Sequence, residues 1–88
     1  MIRNYMKFTG RVQGVGFRYR AKYAAQGLGI TGWIRNEWDG SVEMEVQGTK
    51  EQINRMLIMI NQSEYIDIDC ITTKEVPLNE HETGFYIR

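Results

Sequence analysis

The first 36 residues of this chain contain no aspartate or glutamate, although seven of its eleven lysines and arginines lie there. All eleven acidic residues follow, so a chain with zero net charge has a basic first part and an acidic remainder. Such a division within a short chain favours a locally basic binding site on an otherwise acidic protein. The alternative interpretation is structural, with the two parts forming ion pairs across the fold.

Cysteine, histidine and proline occur once each among the 88 residues. A single cysteine excludes an intrachain disulfide and is typical of a reducing compartment, so we expect a cytoplasmic protein. His81 has no companions for a metal site or a nucleophile–base pair, and we expect it to be exposed. The chain also lacks an apolar run near the ~20 residues of a membrane span. Residues 1–7 contain neither a long apolar stretch nor a small-residue cleavage site, so we expect no secretory signal. Its length predicts one domain over residues 1–88.

Hydrophobic periodicity and turn residues predict seven elements. The first helix runs from Phe17 to about residue 26 or 28 and ends at Gly27 and Gly29, and Thr49 to Gln52 form a capping box that opens the second. We expect strands at residues 2–9, 30–36, 41–47 and 65–75, with a short last one at 85–88. The order βαββαβ, plus the short strand, indicates an α+β, ferredoxin-like split βαβ sandwich. Both helices would cover one face of an antiparallel sheet.

The single cysteine and the two tryptophans also allow predictions of burial and packing. Cys70 alternates with Ile66 and Ile68, which predicts a buried thiol that behaves as a small hydrophobic group. Trp33 and Trp38 flank the end of the second strand and are interpreted as packing and turn-covering residues, although an exposed Trp38 could touch a ligand.

The segment from Gly10 to Arg18, called the glycine loop below, carries three glycines between the first strand and the first helix. A backbone of this kind turns tightly and directs several N–H groups at one point, as phosphate-binding loops do. Arg18 stands at the start of the helix, where a cation opposes the helix dipole unless an anion shares the site. A ligand-free turn would need only one glycine. The glycine loop therefore predicts an anion site.

Asn36 ends the second strand, and an asparagine there is most often a turn former. In a split βαβ fold, however, the first and second strands run parallel with the third between them. Their ends meet at one edge of the sheet, so we expect Asn36 to lie beside the glycine loop and to position a water near a bound phosphate.

Two other phosphate-binding classes do not fit. The loop has Tyr19 where a dinucleotide-binding motif needs its third glycine, and it contains no Walker A lysine. RNA-recognition domains share the predicted architecture but use basic and aromatic residues on the open face of the sheet. Here we expect that face to carry four carboxylates, which repel nucleic acid: Glu43, Glu45, Asp67 and Asp69.

Taken together, these segments resemble the acylphosphatase family over nearly the whole chain. The glycine loop is similar to its first signature, and Gly32 to Asn36, followed by Asp39 to Glu43, is similar to its second. The resemblance implies a cofactor- and metal-free cytosolic hydrolase that cleaves small acyl phosphates to carboxylate and inorganic phosphate. No feature of the sequence demands more than a monomer, so we expect a monomer. It implies a catalytic pair, Arg18 and Asn36, and a phosphate-binding set made of Gln13, Gly14, Val15, Gly16, Phe17 and Arg18.

By analogy, backbone N–H groups and Arg18 would hold the phosphoryl oxygens, and Asn36 would orient the attacking water. A non-catalytic phosphate-binding module on the same fold is the alternative, and it would have no need of Asn36. The chain departs from the family at Ser63-Glu64, where a Gly-Pro pair is frequent, and places Glu37 directly after Asn36. We expect the first departure to affect loop shape and Glu37 to tune substrate affinity.

Overall fold

The computed structural model describes all 88 residues and contains the seven predicted elements in the predicted order. The strands are β1 (Ile2–Arg11), β2 (Thr31–Asn36), β3 (Val42–Gly48), β4 (Asp67–Val76) and β5 (Phe85–Ile87), and the helices are α1 (Phe17–Leu28) and α2 (Lys50–Asn61). Each helix has 12 residues, and neither is long and apolar enough to cross a membrane.

Local chemistry explains the helix ends. Thr49 Oγ1 accepts from the backbone N–H of Gln52, and Gln52 Oε1 accepts from that of Thr49, so the predicted capping box opens α2. Gly29 ends α1 in the left-handed conformation, with φ 75°. Gly27 was expected to share this role but lies inside the helix, because α1 continues to Leu28.

The sheet has the order β4-β1-β3-β2-β5. β3 pairs antiparallel with both β1 and β2, so β1 and β2 run parallel, as expected for a split βαβ fold. The sheet is nevertheless mixed rather than antiparallel throughout, because β5 pairs parallel with β2. β4 runs opposite to β1 and ends at the edge where β2 begins. A chain that crosses from there to the far side must enter β5 in the direction of β2.

Both helices pack on one face of the sheet, which buries alternate residues of β1 and β3. Small side chains on the buried face of α1 allow it a close approach to the sheet, and α2 contributes Ile53, Met56 and Ile60, with Leu57 partly buried. The core consists of apolar side chains from both layers: Met6, Phe8, Val12, Phe17, Ala21, Ala24, Ala25, Ile30, Ile34, Val42, Met44, Val46, Ile53, Met56, Ile60, Ile66 and Phe85.

The prediction for Cys70 is wrong, since this thiol is free and exposed. Thr9 pairs with Cys70 but Gly10 pairs with Ile68, so β4 contains one extra residue, Asp69, in a β-bulge. The bulge shifts the alternation by one position, which moves Cys70 to the face opposite the helices.

The pairing of β4 with β1 also corrects the prediction that four carboxylates lie on the open face of the sheet, the face opposite the helices. Glu43 and Glu45 do lie across from Lys7 and Tyr5 there. On β4, however, the residues across from Thr9, Lys7 and Tyr5 are Cys70, Thr72 and Lys74. Asp69 is the bulge residue and Asp67 pairs with Arg11 at the strand end, so β4 does not place two carboxylates at the centre of the open face.

Candidate active site

The glycine loop leaves β1 and turns sharply before α1. Gly14 and Gly16 have φ of 71° and 80°, a region that other residues rarely adopt, and no non-glycine residue of the chain has a positive φ. A Cβ at either position would meet no atom within 4 Å. Backbone conformation, not lack of space, therefore requires glycine at these two positions.

This turn leaves a set of unused hydrogen-bond donors. Outside the helices and strands, no backbone hydrogen bond is donated by residues 13–16, and no side chain accepts from them. Gly16 is the N-cap of α1 and provides no side-chain cap, and the first turn of α1 holds no acidic residue. The N–H groups of the loop and of the first helical turn are therefore available to an anion.

A small cavity of about 200 Å³ lies at this point, lined by Val12, Gly14, Gly16, Phe17, Arg18, Tyr19 and Asn36. The register explains why Asn36 reaches it: Asn36 and Phe8 both lie across from Val42, so the ends of β1 and β2 share one edge. The predicted proximity of Asn36 to the glycine loop is confirmed.

Asn36 is the one residue with a buried side-chain nitrogen or oxygen that has no hydrogen-bond partner, its Oδ1 atom. Leaving a buried acceptor unsatisfied costs roughly 1–3 kcal/mol, so such an atom usually has a ligand or water partner. A turn-forming asparagine would bond to nearby backbone. The Oδ1 atom of Asn36 accepts no such bond, so a turn-forming role does not account for this residue.

Arg18 is the second residue of α1, half-buried, and forms no ion pair. Other basic residues of the first part do pair with the acidic remainder: Lys7 with Asp39 at 3.3 Å and Arg35 with Glu37 at 2.6 Å. The structural interpretation of the charge division thus holds for these residues. Arg18 is left as a free guanidinium at the cavity.

Two members of the predicted phosphate-binding set direct their side chains elsewhere. Gln13 Nε2 donates to the carbonyl oxygens of Glu37 (2.7 Å) and Ser41 (2.9 Å), which ties the glycine loop to the β2–β3 turn next to Asn36. Val15 packs against the core. Neither side chain lines the cavity, so only their backbone N–H groups are available for the predicted role.

Val12 and Tyr19 line the cavity although the sequence did not single them out for the site. A usable signal existed for Tyr19, because a helix that starts at Phe17 places it in the first turn beside Arg18.

Trp38 is not part of the cavity and does not cover the turn, since it is 95% exposed. Trp33 is buried, and the guanidinium groups of Arg35 and Arg88 lie 4.9 and 4.6 Å from its ring centre. Its predicted packing role is confirmed.

A charged cluster on the open face adjoins the turn after Asn36. Arg35 bonds to Glu37 and lies 3.6 Å from Glu43, and the Tyr5 hydroxyl donates to Glu43. Hydrogen bonds with Glu37 and Tyr5 lower the pKa of Glu43, while burial and then Glu43 raise the pKa of Tyr5 to about 12. The Glu37 carboxylate is therefore held by Arg35 and does not line the cavity.

The β2–β3 turn carries a second fixed carboxylate. The hydroxyl and N–H of Ser41 donate to Asp39 Oδ1 at 2.6 and 3.0 Å. These bonds, the hydroxyl first, lower the pKa of Asp39 to about 2. The turn that holds Asn36 is thus braced from one side by Gln13 and from within by Asp39.

These features define a small α+β protein with a cavity at which backbone amides, one arginine and one amide side chain meet. The acylphosphatase family model matches residues 5–87. An acylphosphatase of Clostridium acetobutylicum is 38% identical over 88 residues, covering 99% of this chain and 97% of that one. The acylphosphatase of Salinibacter ruber is 39% identical over 69 residues, or 72% of this chain and 73% of that one.

The fold comparison agrees. The crystal structure of acylphosphatase from Bacillus subtilis superposes with a TM-score of 0.90 at 30% identity, covering 100% of this chain and 99% of that one. The chain therefore belongs to the acylphosphatase family. Its reaction is that of the family, hydrolysis of the carboxyl–phosphate bond of acyl phosphates.

Proposed function

We propose that the cavity at the glycine loop is the catalytic centre for acyl phosphate hydrolysis, with a separate role for each of its groups. The backbone N–H groups of residues 13–17 and the guanidinium of Arg18 hold the phosphoryl oxygens. Asn36 Oδ1 accepts a hydrogen bond from the attacking water. The observation that carries this assignment is that Asn36, whose buried Oδ1 has no partner in the protein, lines the same cavity as Arg18 and the glycine loop.

The proposed step has a simple balance. The water oxygen forms a bond to phosphorus while the bond from phosphorus to the carboxyl oxygen breaks, and its electron pair leaves with the carboxylate. The water proton passes to a phosphoryl oxygen, so the products are a carboxylate and inorganic phosphate. A carboxylate is a weak base, so no general acid has to protonate it, and the proposal needs no metal or cofactor.

Phosphoryl transfer depends mainly on positioning and on stabilising charge on the equatorial oxygens. Fixed N–H donors and a bidentate guanidinium provide that stabilisation without reorganising during the reaction. Gln13 contributes indirectly, because its two hydrogen bonds hold the loop against the turn that carries Asn36. The distance between the bound phosphoryl group and the water is thereby set by backbone contacts.

A non-catalytic phosphate-binding module is not favoured. Family membership supports an enzyme, and such a module would have no need of Asn36, whose Oδ1 is left without a partner in the protein. We also infer that the enzyme is a cytoplasmic monomer that does not bind nucleic acid, a proposal supported by its free exposed thiol and by the ion pairs that occupy the open face of the sheet.

The deciding experiment is hydrolysis of acetyl phosphate by the purified protein, with phosphate release followed in the presence of excess chelator. We expect turnover to be unchanged by the chelator and to be lost in the double variant Arg18→Lys, Asn36→Ala. The Gln26→Ala variant, exposed on α1 and away from the cavity, is the control for folding and handling. Turnover that depends on added metal, or that persists in the double variant, would show that the assigned groups do not carry the reaction.

A further inference from the structure

A second cavity, of about 440 Å³, lies at the end of the molecule opposite the glycine loop. Its walls come from residues 22–31 and 83–86, where α1 ends and where β2 and β5 begin, and it is called the far pocket below. β2 runs from this cavity to Asn36, so the length of a six-residue strand, roughly 17 Å, separates it from the catalytic cavity. The far pocket is therefore not part of the proposed catalytic centre.

The far pocket has an apolar floor and a polar rim. Ala25, Ile30 and Phe85 line it and also belong to the hydrophobic core, so they form its floor. Lys22 and Thr31 line it as half-buried residues. Its volume falls within the roughly 300–1,000 Å³ typical of ligand pockets, in which a few polar groups are placed around an apolar surface.

Lys22 is the one charged residue that lines the far pocket, and no carboxylate lies there with it. The cations that form ion pairs in this protein are Arg3, Lys7 and Arg35, so the ammonium group of Lys22 has no acidic partner. A half-buried charge has lost part of its hydration, which favours an opposite charge beside it. A single unpaired cation matches a ligand with one negative charge.

Tyr86 gives the far pocket an aromatic wall. A Cβ added to Gly84 would lie 3.0 Å from Oη and 3.1 Å from Cζ of Tyr86, so the tyrosine ring folds back over the backbone of Gly84. The Tyr86 hydroxyl also lies 3.5 Å from Oγ1 of Thr83. Because Tyr86 is still 52% exposed, part of its ring is available for contact with a flat apolar group.

We propose that the far pocket binds a small monoanion with a flat apolar body, an aromatic carboxylate. The carboxylate pairs with Nζ of Lys22, and the rings lie on the apolar floor beside Tyr86. Lys22 precedes Gly29 by seven residues, about 10 Å along the helix axis, so the carboxylate stays away from the negative C-terminal end of α1. That distance leaves room for a body of two fused rings. The site is independent of the chemistry assigned to the glycine loop.

The probe is 2-naphthylacetate, titrated into ¹⁵N-labelled protein while the amide signals are followed by NMR. Glycines report on both cavities, since Gly29 and Gly84 line the far pocket and Gly14 and Gly16 line the cavity at the glycine loop. We expect saturable shifts of the first pair and none of the second. The neutral 2-naphthylacetamide has the same rings without the charge, and its Kd should be about three- to tenfold higher.

Lys22→Gln should raise the Kd of 2-naphthylacetate about three- to tenfold and leave that of the amide unchanged, because glutamine keeps the helix but removes the charge. Tyr86→Ala should weaken both probes about two- to tenfold through loss of a ring contact. Lys50→Gln is the matched control, since Lys50 is an exposed lysine on α2 that lines no cavity. Absence of shifts at Gly29 and Gly84, equal affinity for the two probes, or equal effects of the two lysine variants would overturn the proposal.

Discussion

Two arginines at opposite ends of the sheet show how differently one side chain is used. Arg3 is buried, and it donates to Glu45, Gln47 and Glu82 on the open face. These bonds, the one to Glu82 first, raise the pKa of Arg3 further above its usual value. Arg18 has no such partners and lines the cavity at the glycine loop. The basic first part of the chain thus contains both a cation with carboxylate partners and one without, which composition alone does not separate.

The comparison is tested most severely at Arg18. We expect Arg18→Lys to lower kcat/KM for acetyl phosphate about 10³- to 10⁵-fold, because an ammonium group does not reproduce the planar fork that stabilises transition-state charge. The melting temperature should stay close to that of the wild type, since no protein group loses a partner. A variant that unfolds early, or that keeps near-normal turnover, would contradict this view of Arg18.

Arg3 should give the opposite result. Arg3→Met removes the cation from two carboxylates, of which Glu82 is 8% and Glu45 26% exposed at the side chain. Breaking a buried ion pair from one side typically costs about 3–5 kcal/mol, and we expect a loss near the lower end because Glu45 reaches solvent. Denaturant unfolding measures it, and kcat/KM at a temperature where the variant is folded should be unchanged. A loss of activity in Arg3→Met as large as that in Arg18→Lys would show that the two arginines do not have different roles.

Asn36 sharpens the comparison within the site. Asn36→Ala should lower kcat about 10²- to 10³-fold, the usual effect of removing one preorganised hydrogen-bonding group from a transition state. Phosphate affinity, measured from the rise in melting temperature with phosphate concentration, should change little, because the loop and Arg18 are intact. Loss of the phosphate effect together with kcat would instead identify Asn36 as a binding or structural residue.

The smallest expected effect concerns the turn that carries Asn36. Folding lowers the pKa of Asp39 to about 2 from 3.8, so its contribution to stability is present above about pH 4 and is lost as the pH falls toward 2. Asp39→Asn should therefore lower stability slightly at pH 7 and flatten the pH dependence between 4 and 2. Unfolding curves over that range measure the change, and Asp67→Asn, which alters an exposed carboxylate on β4, is the control.

Much of the fold was predictable from local signals that agree with one another. The capping box at Thr49, the glycine after α1 and the alternation of Val42, Met44 and Val46 each specify one element, and tertiary packing does not override them. The meeting of Asn36 with the glycine loop was also predictable, because it depends on strand order and not on side-chain detail.

The features that escaped prediction depend on pairings between distant residues. The bulge at Asp69 exists only relative to β1, so the alternation of Ile66, Ile68 and Cys70 reads as regular in the sequence. The direction of β5 follows from the path of residues 77–84 across the sheet end, where Asn79 exchanges two hydrogen bonds with Gln47. The groove of about 490 Å³ between α1 and the end of α2 requires two helices to be placed side by side, which no local pattern specifies.

The bulge has a consequence for how copies of this chain behave in a crowded solution. β4 is a ten-residue outer strand, and its free N–H and C=O groups are a template on which another extended chain can pair. Asp69 breaks the regular spacing of those groups, and Lys74 and Glu75 add charges farther along. A straight, uncharged edge would offer another extended chain a regular row of hydrogen-bonding groups, and the extra residue at position 69 interrupts that row.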